Sequence, residues 1–233
     1  MTIDRKAIAG MDFSAVSTGK RLKPVHPGEV LLKDFIEPMG LTRYKVAKNT
    51  GVPQRRIDEI CGGKRAMSAD TALRLGRFFG MDPQTWMNLQ AQWDLVSRIR
   101  DRVNEANLAV VKIRRIKTDV AARAKDAPQE VQAAAEQFAK ALSVVEENLY
   151  QVRNQSGQDP LNFPIKTNNR LASLLRVAAS GEGRPTGNVL PIFLELAEEL
   201  KGHTDQLSKT LTDQLPDLNR MFVRIKKEPV SDK

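Results

Sequence analysis

The stretch of sequence that decides the fold is residues 42–65, TRYKVAKNTGVPQRRIDEICGGKR. Its apolar residues recur at the spacing of two short helices that cross over one core, namely Val46, Ala47, Val52, Ile57 and Ile60. Gly51 lies between the two groups, where the chain has to turn sharply and a residue without a side chain is favoured. The pattern therefore predicts a helix-turn-helix whose second helix opens with Gln54, Arg55 and Arg56.

The exposed positions of this stretch are mostly basic. Between Arg43 and Arg65 there are seven Lys or Arg residues against two acids, Asp58 and Glu59. The whole chain has a net charge of +9 and a sequence pI of about 9.8. Residues 1–105 hold 18 Lys or Arg against 12 Asp or Glu, and the remainder holds 19 against 16. The excess is thus concentrated beside the helix-turn-helix, which favours a polyanionic partner.

The order of residues in the second helix predicts how it would contact double-stranded operator DNA. In a helix-turn-helix, side chains at the start of this helix reach base edges, while flanking elements hold phosphates. We predict that Gln54 and Arg55 read bases, because Gln can pair with adenine and Arg with guanine through two hydrogen bonds. Glu59, one turn on, could accept from cytosine N4 or repel a wrong base. The predicted phosphate contacts are Thr42, Arg43, Arg56, Lys64 and Arg65.

The alternative to a nucleic-acid interface is an ordinary solvated charged face, which is what most charge runs are. The turn glycine, the apolar spacing and the positions of the basic residues agree with one another, and this agreement favours the interface.

Composition predicts an all-α fold. Hydrophobic residues make up 41% of the 233 residues and aromatic residues only 5%, while strong helix formers are abundant. We expect a flexible N-terminal arm (1–23), a helix-turn-helix domain of five helices (24–103), a helical bundle (104–225) and a disordered tail (226–233). Neither glycine nor proline occurs between Pro83 and Pro128, so one continuous helix of roughly 60 Å is expected to join the two domains.

The second half of the chain has the pattern of an antiparallel bundle of four helices. A helix from Pro128 to about Asn154 is predicted by an apolar seam with alternating spacings of four and three. The seam consists of Val131, Ala135, Phe138, Leu142, Val145, Leu149 and Val152. Loops at 156–164 and 180–187 separate it from two further amphipathic helices. Trp86 and Trp93, seven residues apart, are predicted to form a buried stripe or a dimer seam.

No residue constellation predicts catalysis. The single cysteine, Cys61, excludes an internal disulfide and is interpreted as a small core residue. His26 and His203 have no zinc-ligand spacing, and we expect His26 to order the start of the first helix. We therefore predict that the protein is not an enzyme and uses no cofactor and no metal. The chain has neither a signal peptide nor a membrane-length apolar segment, so we expect a cytoplasmic protein without a membrane partner.

Residues 26–100 resemble the HigA-type antitoxins, within the lambda-repressor-like helix-turn-helix superfamily. The resemblance is carried by two segments, HPGEVLLKDFIEPMGLTRYKVAK (26–48) and GVPQRRIDEICGGKRAMSADTALRLGRFFGMDPQTWMNLQAQWDL (51–95). The resemblance implies a homodimer that binds palindromic operator DNA, represses its own operon and neutralises a RelE-like toxin, a ribosome-dependent mRNase. It places Gln54, Arg55 and Glu59 on base-contacting positions, and the five predicted phosphate contacts on or beside phosphate-contacting ones. Gly62 replaces an Asn usual in the superfamily, so one phosphate contact is expected to be absent.

Residues 104–222 look like the helical C-terminal region of large bacterial BNR-repeat, sortilin-like proteins. The resemblance is carried above all by LYQVRNQSGQDPLNFPIKTNNRLASLLRVAASGEGRPTGN (149–188), and it implies no activity. Taken together, the two halves of the sequence leave two functions open. In the first, the chain is an antitoxin-type DNA-binding regulator. In the alternative, the bundle is a protein-interaction or scaffolding module and the helix-turn-helix only localises it.

Overall fold

The computed structural model describes residues 25–152, 163–180 and 187–232, and within these ranges the chain forms eight helices and no strand. The all-α prediction is thereby confirmed. The predicted arm at 1–23 lies outside the described residues, as do most positions of the two predicted loops. Helix α1 begins as the α-helical turn Pro27–Val30 and continues as a π-helical segment, Leu31–Ile36. The others are α2 (Arg43–Thr50), α3 (Gln54–Cys61), α4 (Ala69–Phe79), α5 (Pro83–Ala124), α6 (Gln129–Leu149), α7 (Thr167–Ser180) and α8 (Val189–Arg224).

Helices α1 to α4 enclose a first core, which is completed by the start of α5. Local signals set the helix ends: the Thr42 and Ser68 hydroxyl oxygens accept hydrogen bonds from backbone N–H groups three residues on, as N-caps do. Gly51 ends α2 in the left-handed region at φ +65°, where a residue without Cβ is not strained. The core side chains include Leu31, Ile36, Val46, Ile57, Ile60, Leu75 and Trp86.

Helix α5 is the predicted continuous helix. It has 42 residues and therefore a length of about 63 Å. Trp86, near its start, is buried in the first core, whereas Leu95 and the apolar residues after it line a second core. One helix thus belongs to both halves of the protein.

The bundle consists of three helical rods. The first is α5, the second is made of two successive helices, α6 and α7, and the third is α8. Helix α6 runs antiparallel to the C-terminal half of α5, since Arg114 Nε donates to Glu146 Oε1 at 2.6 Å and Lys117 Nζ donates to Ser143 Oγ at 2.7 Å. Helix α7 runs antiparallel to the preceding stretch of α5, since Asn168 Nδ2 donates to Asn107 Oδ1 at 2.9 Å and, further along α7, the Ala178 carbonyl accepts from Gln92 Nε2. Helices α6 and α7 therefore follow one another along α5 in the same direction.

Helix α8 returns beside the second rod and runs parallel to α5. The guanidinium of Arg98 lies 5.0 Å from the centroid of the Phe193 ring, and Arg123 Nε donates to the Glu228 carbonyl at 2.8 Å. The four predicted bundle helices are present, and α5 and α6 are antiparallel, as are α7 and α8. The predicted antiparallel order does not hold between α6 and α7, which run in the same direction. The four helices form three rods because α6 and α7 are each too short to accompany the whole of α5.

Two boundaries of the bundle differ from the prediction. Helix α6 ends at Leu149, because Tyr150 is extended, so Val152 is exposed and does not join the buried seam. The tail predicted to be disordered is packed over residues 226–232, where Val230 is buried. The Val230 N–H donates to Asn219 Oδ1 at 2.7 Å, and Asn219 Nδ2 donates to the Val230 carbonyl at 3.0 Å. The second core thus runs from Leu95 to Val230, beyond the predicted range 104–225 at both ends.

Phe138 of α6 is only 2% exposed, and its truncation tests the second core. We expect Phe138→Ala to lower the free energy of unfolding by about 3 to 5 kcal/mol, because the lost ring leaves a cavity. Val144→Ala, on the same helix at a position that is 52% exposed, should change it by less than about 0.5 kcal/mol. Urea unfolding of the full chain, followed by circular dichroism, measures both. Equal effects would contradict the assignment of Phe138 to the core.

Candidate nucleic-acid interface

The first turn of α1 is fixed by His26. The His26 side chain caps the helix, because its Nδ1 accepts a hydrogen bond from the Gly28 N–H at 2.9 Å. Its ring packs edge to face on Trp93, with 5.2 Å between ring centroids. Burial lowers the pKa of His26 below its usual value, although the negative charges of Asp94 and Glu29 act to raise it. The neutral ring that burial favours leaves Nδ1 able to accept a hydrogen bond. The expectation that His26 orders the start of α1 is confirmed.

The same turn packs directly on the end of α3. A Cβ atom on Gly28 would lie 1.7 Å from the carbonyl oxygen of Ile60, a distance that no pair of non-bonded atoms tolerates. The backbone of α1 therefore contacts the backbone of α3. After α3, Gly63 turns the chain at φ +67° and lies beside His26, so that the predicted Gly62–Gly63 helix end is confirmed. Sequence analysis missed the role of Gly28, although a glycine one residue inside a helix start was a signal for it.

One face of α3, together with residues of α2 and of the segment after α3, lines a shallow concavity of about 640 Å³ on the protein surface. Five of the eight predicted contact residues meet there, together with Asp58 and Gly62. Those five are Arg43, Gln54, Arg55, Glu59 and Lys64. Gln54, Arg55 and Lys64 are exposed to solvent. The structure thus brings the predicted base readers and two of the predicted phosphate contacts into one surface.

Both acids of the concavity are paired with basic side chains. Glu59 accepts from Arg55 Nε at 2.8 Å through Oε1 and from Arg65 Nε at 2.7 Å through Oε2. The hydrogen bonds from Arg65 and Arg55 hold the pKa of Glu59 below its usual value, so the carboxylate is ionised at neutral pH. Asp58 lies 3.5 Å from Arg43 Nη1, which links α3 to α2.

The other predicted phosphate contacts surround this surface. Thr42 is the N-cap of α2, where its oxygen accepts from the Lys45 N–H at 3.1 Å. Arg56 faces α4 and lies 3.8 Å from Asp70 Oδ2, outside the concavity. Arg65 follows α3 and is joined to the concavity through Glu59.

The remaining reactive side chains, Cys61 and His203, do not line this surface. Burial raises the pKa of the Cys61 thiol to about 11, so at neutral pH the thiol is protonated and unreactive. His203 lies half-buried in the bundle, 3.9 Å from Glu199. Within the described ranges no group of His, Cys, Asp and Glu side chains could hold a metal ion. Among the described helices, none is both long and apolar enough to cross a bilayer.

Two helices joined at Gly51, with the basic start of the second helix exposed, define a helix-turn-helix protein. No family model matches the chain. It is 43% identical over 89 residues to virulence-associated protein I of Dichelobacter nodosus, a match that covers 38% of this chain and 82% of that protein. It is 34% identical over 73 residues to antitoxin HigA-1 of Vibrio cholerae, covering 31% of this chain and 69% of that protein. The chain belongs to the HigA-type antitoxin family of helix-turn-helix proteins.

Two solved structures of antitoxins are similar in sequence to part of the chain. Pseudomonas aeruginosa antitoxin HigA with the higBA promoter is 32% identical with a TM-score of 0.35, covering 36% of this chain and 90% of that chain. The antitoxin GraA is 33% identical with a TM-score of 0.35 and the same coverage of 36% and 90%.

The contact between Gly28 and Ile60 predicts a destabilising effect of a single methyl group. Gly28→Ala should lower the free energy of unfolding of the first core by about 1 to 3 kcal/mol, because the Cβ can be accommodated only if α1 moves away from α3. Gly202→Ala, in the middle of α8 with open space around it, should instead stabilise its helix slightly. Thermal unfolding followed by tryptophan fluorescence reports the first core through Trp86. A Gly28→Ala protein as stable as the parent would contradict the contact.

Proposed function

We propose that this protein is a sequence-specific DNA-binding transcriptional regulator of the antitoxin type, which binds a palindromic operator as a homodimer. The observation that carries the proposal is the concavity at the start of α3, where Gln54 and Arg55 are exposed among basic side chains. A short helix with such a start fits the major groove, and its first side chains meet base edges. The family supports the same function, since the P. aeruginosa HigA structure contains promoter DNA.

Each residue of the interface has a proposed role. Gln54 and Arg55 contact bases. Lys64 contacts the phosphate backbone from the edge of the concavity, because a flexible ammonium group recognises charge more than shape. The proposed phosphate contacts also include Thr42, Arg43, Arg56 and Arg65, which surround the concavity or adjoin it.

Arg55→Ala and Lys64→Ala separate base reading from phosphate binding. Arg55→Ala should reduce the preference for operator over random DNA by about 5- to 150-fold, since a two-bonded guanine contact contributes about 1 to 3 kcal/mol of discrimination. Lys64→Ala should weaken binding to all DNA and reduce the slope of log affinity against log salt by about 1. Competition binding across salt concentrations measures both effects. If Arg55→Ala lost affinity equally for operator and random DNA, Arg55 would instead be a residue that contacts phosphate.

The antitoxin part of the proposal concerns autoregulation and a toxin partner. We propose that the chain represses its own operon and neutralises a RelE-like mRNase. The family membership supports this part, because a curated relative is an antitoxin. The chain acts without catalysis of its own, in the cytoplasm. The Cys61 thiol, which is buried and protonated, is not available as a nucleophile.

A second function is favoured by the size of the bundle. The second core extends from Leu95 to Val230, whereas the match to virulence-associated protein I covers only 38% of the chain. The bundle would then be the interaction module, and the helix-turn-helix would localise it. The resemblance of residues 104–222 to BNR-repeat, sortilin-like proteins stays a prediction.

Toxin neutralisation can be tested apart from DNA binding. We expect a short reading frame next to this gene that encodes a growth inhibitor, and co-expression of the full chain should restore growth. The Lys64→Ala variant should restore it equally well, because neutralisation needs a protein contact and not DNA. Growth that stays arrested in the presence of a folded full chain would argue against the antitoxin role and for the scaffold.

A further inference from the structure

Two arginines of the proposed DNA surface share one carboxylate. Glu59 accepts through one oxygen from Arg55, four residues earlier on α3, and through the other from Arg65, in the segment after α3. The Glu59 side chain is only 22% exposed, whereas that of Arg55 is 89% exposed and that of Arg65 51%. The carboxylate therefore lies beneath the arginines. The end of the Arg55 guanidinium projects into solvent, while its Nε is bonded to Glu59.

The atoms used in these bonds decide what remains for DNA. Arg55 bonds Glu59 through Nε, and among the described residues its two terminal amino groups make no hydrogen bond. A guanidinium held in this way presents both terminal groups as a planar fork, which matches the two acceptors of guanine. Both oxygens of Glu59 already accept from an arginine and its side chain is only 22% exposed, so the carboxylate is poorly accessible to cytosine N4, the role suggested by its position in the sequence.

We infer that Glu59 is a positioning residue that orients Arg55 to read guanine, with Arg65 as the second anchor of the carboxylate. This inference rests on the proposed DNA-binding function and assigns the operator half-site a guanine opposite Arg55. The pairing restrains Arg55, because Glu59 and Arg55 lie one turn apart on α3 and Arg65 holds the second oxygen of the carboxylate.

The expected size of the effect follows from side-chain ordering. A free arginine loses rotamer freedom when it binds, and immobilising such a side chain costs a factor of about 3 to 10 in binding. Because Glu59 already restrains Arg55 in the free protein, much of this rotamer freedom is lost before DNA binds. At the same time Glu59 places a negative charge near the phosphates, which weakens binding to every sequence. Glu59 should thus raise discrimination while lowering affinity for random DNA.

Asp58 offers a matched control. It precedes Glu59 on α3, lines the same concavity and pairs with Arg43, and it makes no ion pair with Arg55. Glu59→Gln and Asp58→Asn each remove one negative charge with almost no change in shape. Both should therefore raise affinity for random DNA to a similar extent. Only Glu59→Gln releases Arg55.

The experiment uses the full chain. The parent protein first selects its operator from a random duplex library. In the selected half-site each guanine is then replaced by adenine and each cytosine by thymine, one base pair at a time. The preference for guanine over adenine at one position should fall about 3- to 10-fold in Glu59→Gln, and further in Glu59→Ala, and should be unchanged in Asp58→Asn. Arg55→Ala identifies that position, because it abolishes the same preference. Circular dichroism and thermal unfolding confirm that the variants are folded.

Three results would overturn the inference. Glu59→Gln with the parent's guanine preference would show that Arg55 needs no positioning. A loss of preference at a cytosine instead of the guanine would show that Glu59 reads a base directly. A parent protein that selects no sequence would overturn the proposed function together with the inference, whereas a selective parent with an unaltered Glu59→Gln variant overturns the inference alone.

Discussion

The continuity of α5 is the constraint on which the rest of the structure depends. Its first turns complete the first core through Trp86, and its remaining length forms one side of the second core from Leu95 onward. A helix without glycine or proline between Pro83 and Pro128 resists bending, so the two cores share one stiff element. The three rods of the bundle are laid out along it: α6 and α7 occupy successive stretches of its length, and α8 returns parallel to it.

The proposed DNA surface depends on a second, smaller contact. The backbone of α1 rests on the last turn of α3, at Gly28 and Ile60, and His26 fixes that turn from the other side. The contact between Gly28 and Ile60 at the end of α3 therefore fixes the position of the exposed residues at its start. Charged side chains then set the chemistry of the surface, with Glu59 holding two arginines and Asp58 holding Arg43. Stability and recognition are separated between two faces of one short helix, since Ile57, Ile60 and Cys61 are buried while Gln54 and Arg55 are exposed.

An antitoxin-type regulator with an additional bundle has a mechanical property that a single small domain lacks. Because α5 passes through both cores, the orientation of the bundle is tied to that of the helix-turn-helix. A partner bound to the bundle would act on the DNA surface through a stiff connection and not through a linker. The packed segment after α8, where Val230 is buried and Lys227 donates to the Arg123 carbonyl, closes the far end of the bundle against α5.

The sequence by itself determined the helices and the position of the candidate site. Helix caps at Thr42 and Ser68, the turn at Gly51 and the apolar spacing are local signals, and each acts within a few residues. The sequence also predicted the basic start of α3 and the continuity of α5, since both can be read directly from residue types. Only the tertiary structure decided the approach of Gly28 to Ile60, the double pairing of Glu59, the three-rod arrangement and the packing of Val230. The physical reason is that apolar periodicity shows which face of a helix is buried but not which other surface covers it, and that choice is made between residues far apart in the chain.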